Sequence, residues 1–560
     1  MSRKFSTTLV AGLTSLSLIL AACGAQTTSP DASGGDPGTD GDGPTGEIVT
    51  IAPSLVGAGE DVITQAALEW SHKPYWDDIH DYVIEQDAEG NLVPALATEW
   101  SASEDGLTWT FTLREDVIFH NGDPLTAEDV AWSWERTIFD PASTHTMIGR
   151  APVVESITGE GNQVVVVTNS PQATLPMWFS EIDGGSAGAV YSKAYYDEVG
   201  DEMWSAPIGT GPFELVSMDG DQSATLTAFL DENRSDWQKE RTPGFKDLVI
   251  RAAPDSSTRV ALLQTGEADV VPLPISAIEE LEASGSELIE VPAATQSVMW
   301  CLGLTLNPDS PCNDVGVREA LSIAIDRQGI ADSVYRGYAQ PSASFMGGEG
   351  SHGNPADLEA PPYDAERAQQ LLAEAGFDES NPLTVEIVVA DVPGDMPLMP
   401  TLAEAIAGNY ADIGVEATVR VGDEEANKEA LFGFEFNGQE AGDPPTPITL
   451  YIRGMDNRFY FVDEQATLFT DDSENGSSVW DDEVFPEMSE RLRAIQAEFD
   501  FDTQGEMMAE YHQWMADEWL QMPLLTASAV FGVSDKVGDW DFRVAGKGNV
   551  HNQWSLRPSE

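Results

Sequence analysis

Two periodicities share this chain. Leu107, Trp109, Phe111 and Leu113 alternate with Thr108, Thr110 and Thr112, a period of two that predicts a strand with one buried face. Further on, Ala127, Val130, Ala131 and Trp134 fall at helical spacing behind Thr126-Ala127-Glu128-Asp129, where hydroxyl and carboxylate suit a reciprocal cap of the first turn. Between the two, Asn121-Gly122 marks a turn. Further strands are expected at 47–51, 92–97 and 164–167. A second block opens with a strand at 299–306. A helix capped near Asp314 follows, with Val317, Ala320, Leu321, Ala324 and Ile325 on one stripe. The next helix, 364–375, is closed by Gly376. Strands at 384–389 and 415–421 flank a helix at 399–411. Two amphipathic helices, 487–499 and 504–519, precede Pro523 and a strand at 524–533 suited to return to the first block. Strands and helices alternate without a repeat, so the expected class is α/β.

The chain has 560 residues. That is about four typical domain lengths, so at least two cores are expected. No Gly/Ser linker divides the body, which favours two intimately connected lobes over separate beads. The first 22 residues read as a secretory signal. Arg3 and Lys4 precede an apolar run that is too short to span a bilayer. The run ends Leu20-Ala21-Ala22-Cys23-Gly24, which looks like the lipobox of bacterial lipoproteins, with Cys23 as the lipidated residue. Two or more acyl chains at roughly 0.8 kcal/mol per buried CH₂ hold a protein on a membrane stably. Residues 24–46, rich in Gly, Asp, Thr and Pro, bury nothing and form a disordered tether. The expected location is the outer face of the cytoplasmic membrane, on the extracellular or periplasmic side.

Charge narrows the partners. With 27 basic and 96 acidic residues the net charge is −69, which argues against nucleic-acid binding and against electrostatic docking on anionic lipid. Two Cys remain in the exported body, Cys301 and Cys312. They are expected to form a disulfide, with two free thiols as the other reading. Two Cys without a nearby His pair make no zinc site, and neither a metal nor a cofactor is expected. Gly184-Gly185-Ser186-Ala187-Gly188 has the form of a nucleophile elbow, but the segment before it is a poor strand. A secreted hydrolase using Ser186 is therefore carried only as the rival reading. Trp70, Tyr75 and Trp76 lie in a polar stretch, where they either line a ligand cleft or form a buried helix face.

Five segments then acquire a common meaning. The densest runs Leu92-Val93-Pro94-Ala95-Leu96-Ala97-Thr98-Glu99-Trp100, through Asp105-Gly106-Leu107-Thr108-Trp109, to Phe119-His120-Asn121-Gly122 and Leu125-Thr126-Ala127-Glu128-Asp129. Pro207-Ile208-Gly209-Thr210-Gly211-Pro212-Phe213 is a second and Gly266-Glu267-Ala268-Asp269-Val270 a third. Val315-Gly316-Val317-Arg318-Glu319-Ala320-Leu321 with Ala324-Ile325-Asp326-Arg327 is a fourth. Tyr363-Asp364-Ala365-Glu366-Arg367-Ala368 is the fifth. In this order the chain resembles the extracellular solute-binding proteins of family 5, the oligopeptide-, dipeptide- and nickel-binding components of ABC importers.

The resemblance implies a two-lobed periplasmic-binding-protein-like clamp of type II. The first lobe would hold residues 47–298 with an inserted subdomain at about 80–200. The second lobe would hold 299–522, and 523–560 would return to the first, with the crossovers acting as the hinge. It further implies a monomer that binds a small peptide or similar elongated polar solute and delivers it to a membrane permease without chemistry. A surface sensor that does not transport is a third reading. In peptide binders of the family an acidic residue meets the ligand's amino terminus, in a motif resembling Gly-Trp-x-x-Asp-Tyr-x-Asp-Pro. Here that region reads Gly438-Gln439-Glu440-Ala441-Gly442-Asp443-Pro444-Pro445-Thr446: the Trp is missing, and Asp443 or Glu440 would have to stand in.

Overall fold

The alternating segment around Trp109 builds a small sheet of its own. In the computed structural model, which describes residues 43–55, 69–87, 91–143, 151–180, 188–301, 310–344, 352–355, 357–390, 396–422, 448–456, 486–540 and 552–559, Thr108–Leu113 is a strand that buries Trp109, Phe111 and Leu113. It lies between Ala97–Ala102 and Gln163–Thr168 in an antiparallel four-stranded sheet completed by Val154–Glu160. Helix Ala127–Phe139 covers it. Its capping box is formed as the spacing predicts, with Thr126 Oγ1 accepting from the Asp129 N–H and Asp129 accepting from the Thr126 N–H. Such a cap stabilises a helix by about 1 kcal/mol. Trp134 stacks on Phe179, and Phe111 meets both edge-on, within a core running from Val83 to Val190.

The remaining strands form one eleven-stranded sheet. At one end Glu47–Ala52 pairs in parallel with Asp247–Ala252 and with Val270–Pro272, and Ser223–Ala228 and Phe213–Asp219 extend the edge. At the other end Thr384–Ala390 pairs in parallel with Glu416–Gly422 and Ile448–Asp456. Helix Met399–Asp412 packs on this second group through Leu402, Ala403, Ile406 and Tyr410. Parallel pairing on both sides fits the α/β class, since parallel strands need a crossover between them.

Two long antiparallel strands join the groups, Glu287–Cys301 and Met522–Val533. The first half of Glu287–Cys301 lies opposite 529–533, next to Val270–Pro272 in the sheet order. Its second half lies opposite 522–527 and pairs on its other side with Ile448–Asp456. The register slips twice between the halves, from Val291 to Thr295 and from Gln296 to Val298. Slips of this kind bend and twist a strand locally. The strand expected at 299–306 thus begins at Glu287. Pro292-Ala293-Ala294 interrupts the apolar alternation and hides its first half from a periodicity reading. Helix Val315–Ile323 carries the expected Asp314 cap, with Val317, Ala320 and Leu321 buried. Helix Pro486–Gln496 stops short of the expected Phe499, because Asp500 caps the next helix, Phe501–Asp517, by accepting from the Thr503 N–H at 2.9 Å.

Candidate functional site

The segments that carry the resemblance do scaffold work. In Gly209-Thr210-Gly211 each glycine lies against the backbone at the end of helix Glu69–Ile79. A Cβ on Gly209 would sit 2.0 Å from the Ile79 oxygen, and one on Gly211 2.7 Å from the Asp78 oxygen. Only glycine permits that approach. Thr210 Oγ1 donates to the buried Asp81 carboxylate at 2.8 Å, and Gln238 Nε2 donates to the Thr210 carbonyl at 2.9 Å. Arg241 completes the clamp. Its guanidinium meets Asp81, reaches Glu85 at 3.1 Å, and lies over the rings of Trp237 and Trp554. In Gly266-Glu267-Ala268-Asp269-Val270, Asp269 is buried and accepts from the Val49 N–H at 2.9 Å, Ser534 Oγ at 2.8 Å and Lys536 at 3.1 Å. It thereby ties the first strand to the chain leaving the crossover.

The fourth segment anchors the second crossover. Arg318 donates to the Glu518 carbonyl at 2.7 Å, and Arg327 Nε donates to the Pro523 carbonyl at 2.7 Å. Both guanidiniums are buried and donate mainly to backbone carbonyls, Arg327 also to Ser322 Oγ at 3.1 Å, which fixes the entry of Met522–Val533. Sγ atoms of Cys301 and Cys312 are joined, with Cα atoms 6.3 Å apart, and this places a covalent staple at the end of Glu287–Cys301.

The aromatic candidates take a packing role. Tyr75 and Trp76 are 0% and 1% exposed on helix Glu69–Ile79, inside the core of the first strand group. Trp76 donates through Nε1 to Tyr191 at 3.2 Å and stacks on His80 at 4.5 Å. The reading of these two rings as cleft lining gives way to the buried face: Tyr75 meets Trp76 edge-on, and Trp76's partner Tyr191 arrives from 115 residues away, which no local pattern announces. The Trp70 side chain, Cys23, Ser186, Glu440 and Asp443 lie outside the described residues. Burial holds the His80 imidazole down to about 3 and that of His120 to about 4, so both are neutral at pH 7. His120 accepts through Nδ1 from the Gly209 N–H and donates through Nε2 to the Gly211 carbonyl. Asp78 is pushed well above the ordinary carboxylate range by burial and by Asp77, while Gln553 donates to it at 3.0 Å.

The crossover itself holds the polar groups that sequence reasoning missed. Thr295 and Gln296 are 3% and 1% exposed, at the register slip of Glu287–Cys301. Thr295 Oγ1 and both amide atoms of Gln296 have no hydrogen-bond partner among the described residues. An unpaired buried amide costs about 1–3 kcal/mol, so native folds rarely leave one without use for it. The only signal in the sequence is a polar Thr-Gln-Ser run just before the apolar end of the strand, Val298 to Cys301. Donor and acceptor side by side on Gln296 match the two groups of a peptide unit or of any polar solute carrying both.

Known proteins agree with this geometry. Residues 91–453 match the family model of bacterial extracellular solute-binding proteins, family 5. Among characterised relatives, the nickel-binding periplasmic protein of Escherichia coli is 26% identical over 64% of this chain and 69% of its own length. The dipeptide-binding protein of Escherichia coli is 30% identical over 59% of this chain, and the match spans 63% of that relative, less than two thirds. Among solved structures, the periplasmic binding protein DppA of Helicobacter pylori in complex with the peptide STSA superposes with a TM-score of 0.70 at 20% identity, covering 92% of this chain and 98% of that one. That likeness establishes the two-lobed fold, in which the paired crossover strands join the lobes. With more than half of its length under one family model, the chain belongs to the bacterial extracellular solute-binding proteins of family 5, binding proteins that carry out no catalysis.

Proposed function

We propose that this protein is the lipid-anchored binding subunit of an ABC importer, which captures a peptide or similarly elongated polar solute by hinge closure and passes it to a membrane permease unaltered. The lobes divide near residues 299 and 522, and the free chain is a monomer. The observation that carries the reading is the pair Thr295 and Gln296: buried polar groups at the crossover with no hydrogen-bond partner among the described residues. A solute bound between the lobes would satisfy them on closure. Its higher affinity for the closed form would shift the equilibrium towards that form. Relatives named for dipeptides and for nickel support the solute class and leave peptides and metal chelates as the two poles of it. Gln296 favours the peptide pole, because an amide pairs donor and acceptor with another amide.

Mass spectrometry of the small molecules released on denaturing the purified protein tests the reading. Peptides, confirmed by titration of the emptied protein, are the expected result. A chelated metal as the sole released solute would move the assignment to the other pole. Asp443→Asn is expected to weaken peptide binding about tenfold or more if that carboxylate meets the ligand ammonium, as a charge-assisted bond of about 1.5–3 kcal/mol implies. Unchanged affinity would turn attention to Glu440. For the anchor, blocking lipoprotein processing should leave an uncleaved precursor, and Cys23→Ser should abolish incorporation of labelled fatty acid into the chain. Label retained by the variant would remove Cys23 as the anchor.

A further inference from the structure

The two lobes touch directly at a place remote in sequence from the crossover. The connection at 497–500, between helices Pro486–Gln496 and Phe501–Asp517, presents Phe499 to the four-stranded sheet of the first lobe. Its ring stacks on Trp109 with centroids 5.9 Å apart and planes at 22°. It also lies over Gly106, where a Cβ would come within 2.7 Å of the Phe499 ring. Gly106 has φ +70°, so the turn both requires and exploits the missing side chain. Beside it the Ala173 N–H donates to the Gln496 carbonyl at 2.7 Å, a backbone bond from one lobe to the other.

Each side of this contact is held from behind. Trp109 donates through Nε1 to the Gln172 carbonyl at 2.8 Å and sits in the subdomain core. Gln504 Nε2 donates to the carbonyls of Ile495 and Glu498, both at 3.1 Å, and the Asp500 N–H donates to Glu498 at 2.7 Å. Met488, Leu492 and Ile495 fix the preceding helix in the core of the second lobe. Even with Trp109 and Gly106 against it Phe499 is 43% exposed, so its own lobe does not bury it.

We propose that Phe499 on Trp109 and Gly106, with the Ala173–Gln496 bond, is an interlobe latch that holds the closed form. Its apolar character follows from the charge. At −69 the lobes repel on closing; Glu104 and Asp105 precede Gly106 in the chain, and Glu498 and Asp500 flank the Phe499 that lies over it. An aromatic contact and a backbone bond add no further charge. Because the latch forms only when the lobes meet, it contributes to closure and not to the stability of either lobe.

Small-angle scattering of the mature chain tests this, without ligand and with a saturating dipeptide mixture, for wild type, Phe499→Ala and Phe499→Trp. An aromatic pair of ordinary strength gives a closed-to-open ratio roughly three- to tenfold lower in Phe499→Ala, at an unchanged melting temperature. Phe499→Trp, which keeps a ring for Trp109, should return the ratio to within about twofold of wild type. Phe499→Ala profiles that superimpose on wild type in both conditions overturn the latch, and so does a Phe499→Trp protein as open as Phe499→Ala. A dipeptide mixture that fails to bind speaks against the ligand assignment alone, and the ligand-free profiles then decide on the latch.

Discussion

The clamp around Asp81 and the crossover around Gln296 are equally buried and treat their polar groups in opposite ways. Asp81 receives Arg241 and Thr210, and Gln238 takes up the neighbouring carbonyl, so that donors and acceptors close on one another. At the crossover the Thr295 hydroxyl and the Gln296 amide are left without partners among the described residues. The first arrangement is what a fold does to hold itself, because a satisfied buried network is rigid. The second leaves a cost for something else to remove. Burial alone therefore does not mark a binding residue, and one unmet atom does not either, since Trp134 Nε1 in the subdomain core also has no partner among the described residues; among those residues Gln296 stands apart in having both ends of its amide unmet.

Substitutions can break this contrast from either side. The largest effect is expected from Arg241→Ala, which strands Asp81 without its cation. A loss of about 3–5 kcal/mol in urea unfolding is the expected outcome, with solute affinity of the folded fraction unchanged. A loss below about 1 kcal/mol would mean that the clamp is not what holds the helix end.

Acid should act on the same lobe. His80 and His120 are held near 3 and 4, well below their unfolded values, so the unfolded chain binds more protons than the folded one below about pH 6.5. Stability should fall as pH drops from about 6.5 towards 4, by up to about 1.4 kcal/mol per pH unit for each imidazole. Asp78 has the opposite sign. Its raised value stabilises the fold at low pH, and that contribution is lost as pH rises through its folded value, which offsets part of the histidine slope. His80→Phe should flatten the dependence of the urea midpoint on pH. An unaltered slope would clear His80 of the effect.

The smallest change in stability has the most telling sign. Gln296→Met removes an unpaired amide at similar volume, so the ligand-free protein should gain about 1 kcal/mol while solute binding weakens about tenfold. A variant that loses stability would show that the amide is satisfied in the free protein and would erase the contrast with Asp81.

The segments that made the family legible explain why the ligand was not. Gly209, Gly211, Asp269, Arg318 and Arg327 hold backbone against backbone, and such contacts demand particular residues whatever solute is bound. They leave a recognisable string. Thr295 and Gln296 answer to a solute rather than to the scaffold, and a Thr-Gln pair in a strand has no distinguishing spacing. Phe499 was hidden for another reason. Its spacing continues the helical stripe of Leu492 and Ile495, and only the Asp500 cap on the next helix ends the first one early.

Local order was written in the chain itself: the alternation around Trp109, the Thr126–Asp129 box, the Asp314 cap and the α/β class each depend on neighbours within one or two turns. Tertiary structure alone decided that Tyr75 and Trp76 pack inward, Trp76 against Tyr191, that one strand serves both lobes, and that Phe499 reaches Trp109. The physical reason is range. Capping and periodicity act over a few residues of backbone, whereas burial, unmet hydrogen bonds and contact across two lobes are set by which distant segments share a space.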